Sequence, residues 1–282
     1  MKIVIVIPYR GIGDLIFHIP LIRGISKKYN TKINILTNKV NKAKNLLKNE
    51  MSIKKIEYIS FQRENQIRNS YLFYKKINSF YSDICLLTAP TKRLIIPLIL
   101  SNSQKKIYFK KDNTKDLSKY IIKQSKIELA NIKFTNDYSL RFDKTNTHIK
   151  SIFLSIDSRH DSNDWSQIYY IKLIQKILKK KFINKIYINF DPSKIKAFKK
   201  VLKIFQNQKK IIFTYSTKFD ELIKIMNTCK FVIGNESGPI CIGAALKKEV
   251  LSIYYPKHTN KSSKTINSRV RFFNTDKMSS KN

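Results

Sequence analysis

Short β-branched runs alternate with longer amphipathic stretches along most of the 282-residue chain, and that alternation restricts the fold more than any other feature. "KIVIVIP" (2–8), "KINILT" (32–37), "IEYIS" (56–60) and "DICLLT" (83–88) read as strands, with helices over 14–28, 40–49 and 64–79 between them. Within 14–28 the apolar residues fall at 15, 16, 19, 22 and 25, the period of one helix face. A charge-rich stretch, 102–150, breaks the rhythm and reads as an irregular domain end with a linker. The alternation restarts with strands over 151–156, 185–190, 210–215, 230–234 and 250–255 and helices over 167–181, 193–206, 218–229 and 238–247. From about 261 the chain is polar and reads as a frayed tail. Strands separated by helices predict parallel sheets covered on both faces. The expectation is therefore two α/β domains, 1–150 and 151–282, facing each other across a cleft at the carboxyl ends of their strands.

Lys and Arg outnumber Asp and Glu by 56 to 19, giving a formal charge of +37. The excess is even: residues 1–150 carry 30 basic and 10 acidic side chains, and 151–282 carry 26 and 9. An evenly basic chain is drawn to polyanions, whether nucleic acid, anionic lipid head groups, phosphorylated glycans or nucleotides, although lysines that merely fill a solvated surface give the same count. Three cysteines, Cys85, Cys229 and Cys241, form no CxxC pair, so neither a disulfide framework nor a zinc site is expected and a reducing compartment fits. The opening "MKIVIVIPYRG" lacks the features of a signal peptide, and "RLIIPLILS" (93–101), the most apolar segment, is far too short to span a bilayer. These features predict a cytoplasmic protein that can meet an anionic membrane surface.

Three segments carry candidate chemistry. "GIGD" (11–14) lies between a strand and a helix, where glycines permit close approach and helix amides attract an anion. A dinucleotide fingerprint would need Gly at 16, where Ile stands, and no phosphate-loop pattern occurs. Asp14 has two readings: a helix N-cap, or a general base that takes a proton from a hydroxyl. Pro20 is expected to kink the helix that follows. "FVIGNESGPICIGAAL" (231–246) is a second strand-turn-helix, with Pro239 placed for a first helical turn and small Gly243, Ala244 and Ala245 for close packing. "SIDSRHDSNDWSQIYYIKLI" (155–174) holds Ser158, Arg159, His160 and Asn163 before Trp165, the only tryptophan, read as a packing anchor. Arg159 has the fork geometry for phosphate.

Together and in this order, these segments resemble glycosyltransferase family 9, the heptosyltransferases of lipopolysaccharide assembly. "GIGDLIFHIPLIRGISKKY" is similar to the family's Gly-Asp turn with a proline six residues after the Asp, and "GNESGPICIGAAL" to its late motif G-N-D-S/T-G-P-M-H-L-A-A-A-L. "SRHDSNDWS" resembles the loop ending in Lys-x-Trp-Pro, and "TYSTKFDELIKIMNTCKFVIG" the strand-helix-strand before the late motif. The resemblance implies a GT-B architecture of two Rossmann-like domains. It also implies inverting, metal-independent transfer from a nucleotide-diphosphate sugar, typically ADP-heptose, to a lipopolysaccharide or other surface-glycan acceptor. The sugar nucleotide is a substrate, and no cofactor is implied. In this picture Asp14 is the catalytic base. Gly11, Ile12, Gly13, Ser158, Arg159, Asn163, Thr217, Glu236, Ser237, Gly238, Pro239 and Cys241 serve the donor. The chain departs from the family's pattern: Asn163 stands for a phosphate-binding Lys, Glu236 for Asp and Cys241 for His, and "KKE" (247–249) and "YPK" (255–257) stand for its G-K-P and G-P-T elements. Those departures leave open a relative that binds nucleotide or glycan, or scaffolds other transferases, without turnover. Nucleic-acid binding rests on charge alone, with no RNA- or DNA-binding motif beside it.

Overall fold

Apolar runs and amphipathic stretches become two parallel sheets with helices between successive strands in the computed structural model, which describes residues 1–61, 65–89, 91–114, 116–130, 132–142, 148–158, 165–254 and 262–274. The chain divides into two units, Met1–Arg141 and Phe142–Asn282. The first contains β1 (Ile3–Ile7), α1 (Ile12–Phe17), α2 (Ile19–Tyr29), β2 (Ile33–Thr37), α3 (Ala43–Leu46), β3 (Ile53–Tyr58), α4 (Gln66–Asn78), β4 (Ile84–Leu87), α5 (Lys92–Ile99), β5 (Lys105–Tyr108) and α6 (Leu117–Glu128). Its strand order is β3-β2-β1-β4-β5, parallel throughout. Strands β1 and β4 are buried along their whole length, which is why their sequences are apolar without alternation. Right-handed crossovers then place α4 and α5 together on one face, where Phe73, Ile77, Leu94 and Leu98 pack with Val4, Val6, Cys85 and Leu87. Helix α6 packs against α1 and α2.

The second unit contains β6 (His148–Ser155), α7 (Gln167–Leu178), β7 (Lys185–Asn189), α8 (Lys199–Phe205), β8 (Ile211–Phe213), α9 (Phe219–Thr228), β9 (Cys229–Asn235), α10 (Gly238–Ala245), β10 (Glu249–Tyr254), α11 (Ser262–Ile266) and β11 (Val270–Asn274). Its order is β11-β10-β9-β6-β7-β8, again parallel. Close approach of β9 to β6 requires Gly234, because a Cβ there would run into the Ser155 carbonyl. Gly243 does the same for α10, where a Cβ would lie 2.9 Å from Val232 side-chain carbons.

Several sequence expectations are corrected. The stretch 102–150 is not simply irregular, since it supplies β5 and α6. Strand β5 is an edge strand with exposed lysines, and the buried face of α6 includes Ser118, Gln124 and Ser125, so neither shows a strong apolar period. The polar tail supplies α11 and the edge strand β11. The expected helix over 40–49 is a 3-10 turn, Lys39–Asn41, followed by the four-residue α3. The segment 14–28 is two helices starting earlier, at Ile12, with the break just before Pro20, which lacks the N–H that a continuous helix would need.

Two buried polar clusters fix the first unit. Arg23 on α2 donates from Nη2 to Glu50 Oε2 at 2.7 Å and to the Ser139 carbonyl at 2.7 Å, and from Nη1 to Asp137 Oδ2 at 2.9 Å. Burial alone would raise the Glu50 carboxyl, but the Arg23 hydrogen bond and charge outweigh it and hold the group below its ordinary range. The second cluster centres on His18, fully buried at the α1–α2 joint. Its Nδ1 lies 2.6 Å from the Asp14 carbonyl and so carries the proton, leaving Nε2 to accept the Thr88 hydroxyl at 3.0 Å. The Val6 carbonyl, also near that hydroxyl, already accepts the Thr88 backbone N–H at 3.1 Å. Burial lowers the His18 pKa from 6.5 to about 4.

Replacing Arg23 with Met is expected to destabilise the protein by about 3 kcal/mol, because it leaves Glu50 buried with only the more exposed Arg141 guanidinium, 3.6 Å away, as its cation. Adding Glu50→Leu is expected to recover most of that loss in denaturant unfolding; a single variant within about 1 kcal/mol of wild type would contradict this role. His18 gives a pH prediction. Folding depresses its pKa, so the unfolded chain binds the extra proton, and the stability His18 contributes is complete above pH 6.5 and is lost as pH falls towards about 4. The loss amounts to about 3 kcal/mol. Unfolding free energy measured across that window should fall more steeply for wild type than for His18→Gln.

Candidate functional site

In each sheet the strand order reverses once, and the candidate segments lie at those reversals. Strands β1 and β4 are neighbours although β2, β3 and their helices intervene in sequence. Open α/β sheets bind ligands outside the carboxyl ends of the strands at such a point. Residues 8–11 leave β1 there and Thr88 leaves β4. Gly11 is the N-cap of α1, with φ −75° and ψ 142°, and its N–H donates to Asp14 Oδ2 at 3.1 Å. Asp14 is therefore the third residue of the helix, reaching back over its own amino end, rather than the N-cap. A Cβ at Gly11 would collide with that carboxylate, so the need for glycine here is room and not an unusual φ. Asp14 is half-buried, as are Gly11, Ile12 and Gly13.

Two side chains not singled out from sequence for chemistry, His18 and Tyr9, lie by Asp14, and Thr88 on the neighbouring strand bonds to both. His18 holds the Asp14 carbonyl, as described, and lies one helical turn along, an i,i+4 relation visible in sequence. The Tyr9 hydroxyl donates to the Thr88 carbonyl at 3.2 Å, and its ring centre lies 5.4 Å from that of His18. Burial first, then the neighbouring Tyr120 and Asp14, push the Tyr9 hydroxyl well above its ordinary range, so it stays a neutral donor. His18 is likewise neutral at pH 7. Asp14 is thus the carboxylate among two neutral, hydrogen-bonded rings.

In the second unit β6 and β9 are the neighbours at the reversal. Ser158 follows β6, Thr217 follows β8, and Glu236, Ser237, Gly238 and Pro239 follow β9, so the structure gathers these predicted residues at the carboxyl edge of one sheet. Arg159, His160 and Asn163 lie outside the described residues. Ser158 is buried, and its carbonyl accepts Lys194 Nζ at 2.7 Å. Lys194 ends a 3-10 turn, Pro192–Lys194, capped by Asp191 Oδ1 on the Ser193 N–H at 2.9 Å. Sequence reasoning missed Lys194 because nothing local distinguishes it from the other lysines of the chain; only the pairing of β6 with β7 brings it to Ser158.

Asn235, at the end of β9, is fully buried, and its Oδ1 accepts from the Trp165 backbone N–H and the Tyr170 hydroxyl, both at 3.0 Å. Trp165 packs on Tyr169, Tyr170 and Phe273, the anchor expected of it. The Glu236 carboxylate accepts from the Ser252 hydroxyl, from Ser263 N–H at 3.1 Å and from Ser263 Oγ at 2.9 Å, which ties β9 to β10 and α11. Ser237 is the N-cap of α10 and makes no side-chain cap bond. Its Oγ is buried and, among the described residues, has no hydrogen-bond partner. It stands at the helix end where the first-turn N–H groups have no intrahelical acceptor, a combination that an anion satisfies. Cys241, one turn on, is buried and forms no disulfide. Among the described residues no group of three or more His, Cys, Asp or Glu could hold a metal ion.

A family model described as glycosyltransferase family 9 (heptosyltransferase) matches residues 109–282. Comparison with curated proteins finds no match. Among solved structures, the glycosyl transferase family 9 protein of Veillonella parvula is similar, with 15% identity over 99% of this chain and 87% of that one and a TM-score of 0.77. E. coli ADP-heptose lipopolysaccharide heptosyltransferase II shares 12% identity over 97% of this chain and 90% of its own, with a TM-score of 0.73. E. coli heptosyltransferase WaaC with ADP shares 13% identity over 97% and 93%, with a TM-score of 0.69. At these identities the structures establish the fold, which is GT-B. The family model covers well over half of the 282 residues and takes in the whole second sheet with its Glu236–Cys241 segment, so the chain belongs to glycosyltransferase family 9, the heptosyltransferase family.

Proposed function

We propose that this family 9 protein moves a sugar, heptose or a close relative, from a nucleotide-diphosphate donor to a lipopolysaccharide or other surface-glycan acceptor, with inversion and without a metal. The observation that carries the reading is Asp14: a half-buried carboxylate at a strand-order reversal, fixed by the Gly11 N–H and flanked by neutral Tyr9 and His18. A carboxylate held in this way at the carboxyl end of β1 is suited to accept a proton. It takes the proton of an acceptor hydroxyl as that oxygen forms its bond to the anomeric carbon. The bond from that carbon to the diphosphate breaks on the opposite side, and the electron pair leaves with the diphosphate. His18 acts here as a positioning residue through the Asp14 carbonyl.

The diphosphate gains negative charge as it leaves. The second unit supplies what such an anion requires: the amino end of α10, the unpartnered Ser237 Oγ and the Lys194 ammonium beside Ser158. Lys194 thereby supplies a cation where Asn163 replaces the family lysine. WaaC was solved with ADP and with ADP-2-deoxy-2-fluoro heptose, which makes an ADP-sugar the first donor to test. One observation favours a second reading, binding without turnover: the Glu236 carboxylate is already engaged by Ser252 and Ser263.

Asp14→Asn is expected to lower the transfer rate by about 100-fold or more while leaving donor affinity unchanged, the signature of a lost base. A variant that transfers at the wild-type rate with its fold intact removes Asp14 from the mechanism. In a thermal-shift panel of ADP-, GDP-, UDP- and CDP-sugars, the true donor at about 100 times its dissociation constant stabilises the protein by about 2.7 kcal/mol. Stabilisation without transfer selects the second reading, and no response to any nucleotide sugar rejects the transfer reaction and leaves a relative that binds glycan or scaffolds other transferases.

A further inference from the structure

Helices α4 and α5 are apolar on both sides. Their inner residues form the core described above, yet their outer faces show Ile67, Tyr71 and Leu72 on α4 and Ile96, Ile99 and Leu100 along α5, each 44–89% exposed. Within each helix the spacing, 67, 71, 72 and 96, 99, 100, is that of a single outward stripe. The helices pack side by side, and Ser70 Oγ donates to the Arg93 carbonyl at 3.2 Å between them. Single exposed apolar residues need no explanation, but two adjoining stripes on neighbouring helices mark an interaction surface.

The charge of these helices has one sign. They carry Arg68, Lys75, Lys76, Lys92 and Arg93 and no Asp or Glu. Lys76 pairs with Glu57, and Arg93 donates to the Phe61 carbonyl at 2.6 Å. Arg68, Lys75 and Lys92 are exposed, and Lys75 Nζ stands 4.8 Å over the Tyr71 ring within the stripe. We infer that the outer face of α4 and α5 docks on an anionic lipid bilayer. The apolar stripes enter the boundary between head groups and acyl chains, and the three exposed cations meet lipid phosphates.

Charge selects this occupant. A second copy docked through the same face would set these cations against themselves, on chains each carrying +37. A nucleic acid would satisfy the cations but offers no apolar phase for the isoleucines. An anionic bilayer satisfies both at once. The docking is interfacial, since among the described residues no helix is long and apolar enough to cross a membrane. It is independent of the transfer reaction proposed above.

Vesicle flotation of the full chain tests this. Wild type is expected to float with mixed phosphatidylcholine–phosphatidylglycerol vesicles and not with phosphatidylcholine alone. Ile96→Glu with Ile99→Glu, and separately Arg68→Gln with Lys75→Gln, should each weaken that binding about tenfold or more, with unchanged circular dichroism and melting temperature. If the glutamate pair does not fold, Ile96→Ser with Leu100→Ser reads the same stripe. Lys176→Gln with Lys180→Gln, a charge-matched change at exposed positions of the second unit, should leave binding intact. Equal loss in that control, no preference for anionic vesicles, or a dimer in sedimentation that the Ile96 and Ile99 substitutions dissolve would each overturn the inference.

Discussion

The reversal of strand order is the constraint on which the rest depends. The chain runs from β1 out to β3 and then returns over the sheet, so that β4 enters beside β1, and right-handed crossovers put the helices of the two directions on opposite faces. Two connections then leave adjacent strands on opposite faces and expose their first residues together. In the first unit this sets Thr88 beside the Tyr9–Asp14 turn, and in the second it sets Ser158 beside the β9–α10 turn. Neither pairing involves residues near each other in sequence.

Topology places these groups, and buried polar contacts hold them. Asp14 is positioned at two levels: its carboxylate by the Gly11 N–H and its carbonyl by His18, itself fixed by Thr88 on the neighbouring strand. A continuous helix through 14–28 would not bring His18 to that joint in the same way; the break before Pro20 turns the imidazole to its present contacts. Arg23, on the next turns of α2, bonds Glu50 and the 137–139 segment, which anchors the helix that carries the joint. The stability of the unit and the geometry of its carboxylate thus rest on the same few buried groups, and acidification affects both through His18.

Central strands were legible because their residues answer to one demand, burial on both faces. "IVIVI" in β1 and "ICLL" in β4 admit little else. Two of the four edge strands were not legible: β5 and β11 bury one side at most, so "KKIY" and "VRFFN" carry charges that resemble loop. For the site, the turns "GIGD" and "GNESGP" showed in sequence because helix starts have local chemistry. Tyr9, Thr88 and Lys194 did not, because their importance comes from pairings across the sheet. Glu236 shows the converse, a residue whose motif position pointed to ligand and whose carboxylate lies against Ser252 and Ser263.

The uneven use of acidic residues gives the charge excess a structural meaning. Several of the 19 acidic residues serve the fold: Glu50 on Arg23, Glu236 on Ser263, Asp116 capping α6, Asp191 capping a 3-10 turn and Asp83 on the Lys2 N–H. With 30 basic against 10 acidic residues in 1–150 and 26 against 9 in 151–282, the surface field stays positive along both halves of the chain. Such a field does not discriminate, since any polyanion lowers its energy. Discrimination comes from what accompanies the cations: on α10, an amino end with an unpartnered hydroxyl suited to one compact anion, and on α4 and α5, apolar stripes suited to an anion layer backed by hydrocarbon. In the two readings proposed above, the same excess of lysine serves two different partners, and the uncharged groups beside it decide which.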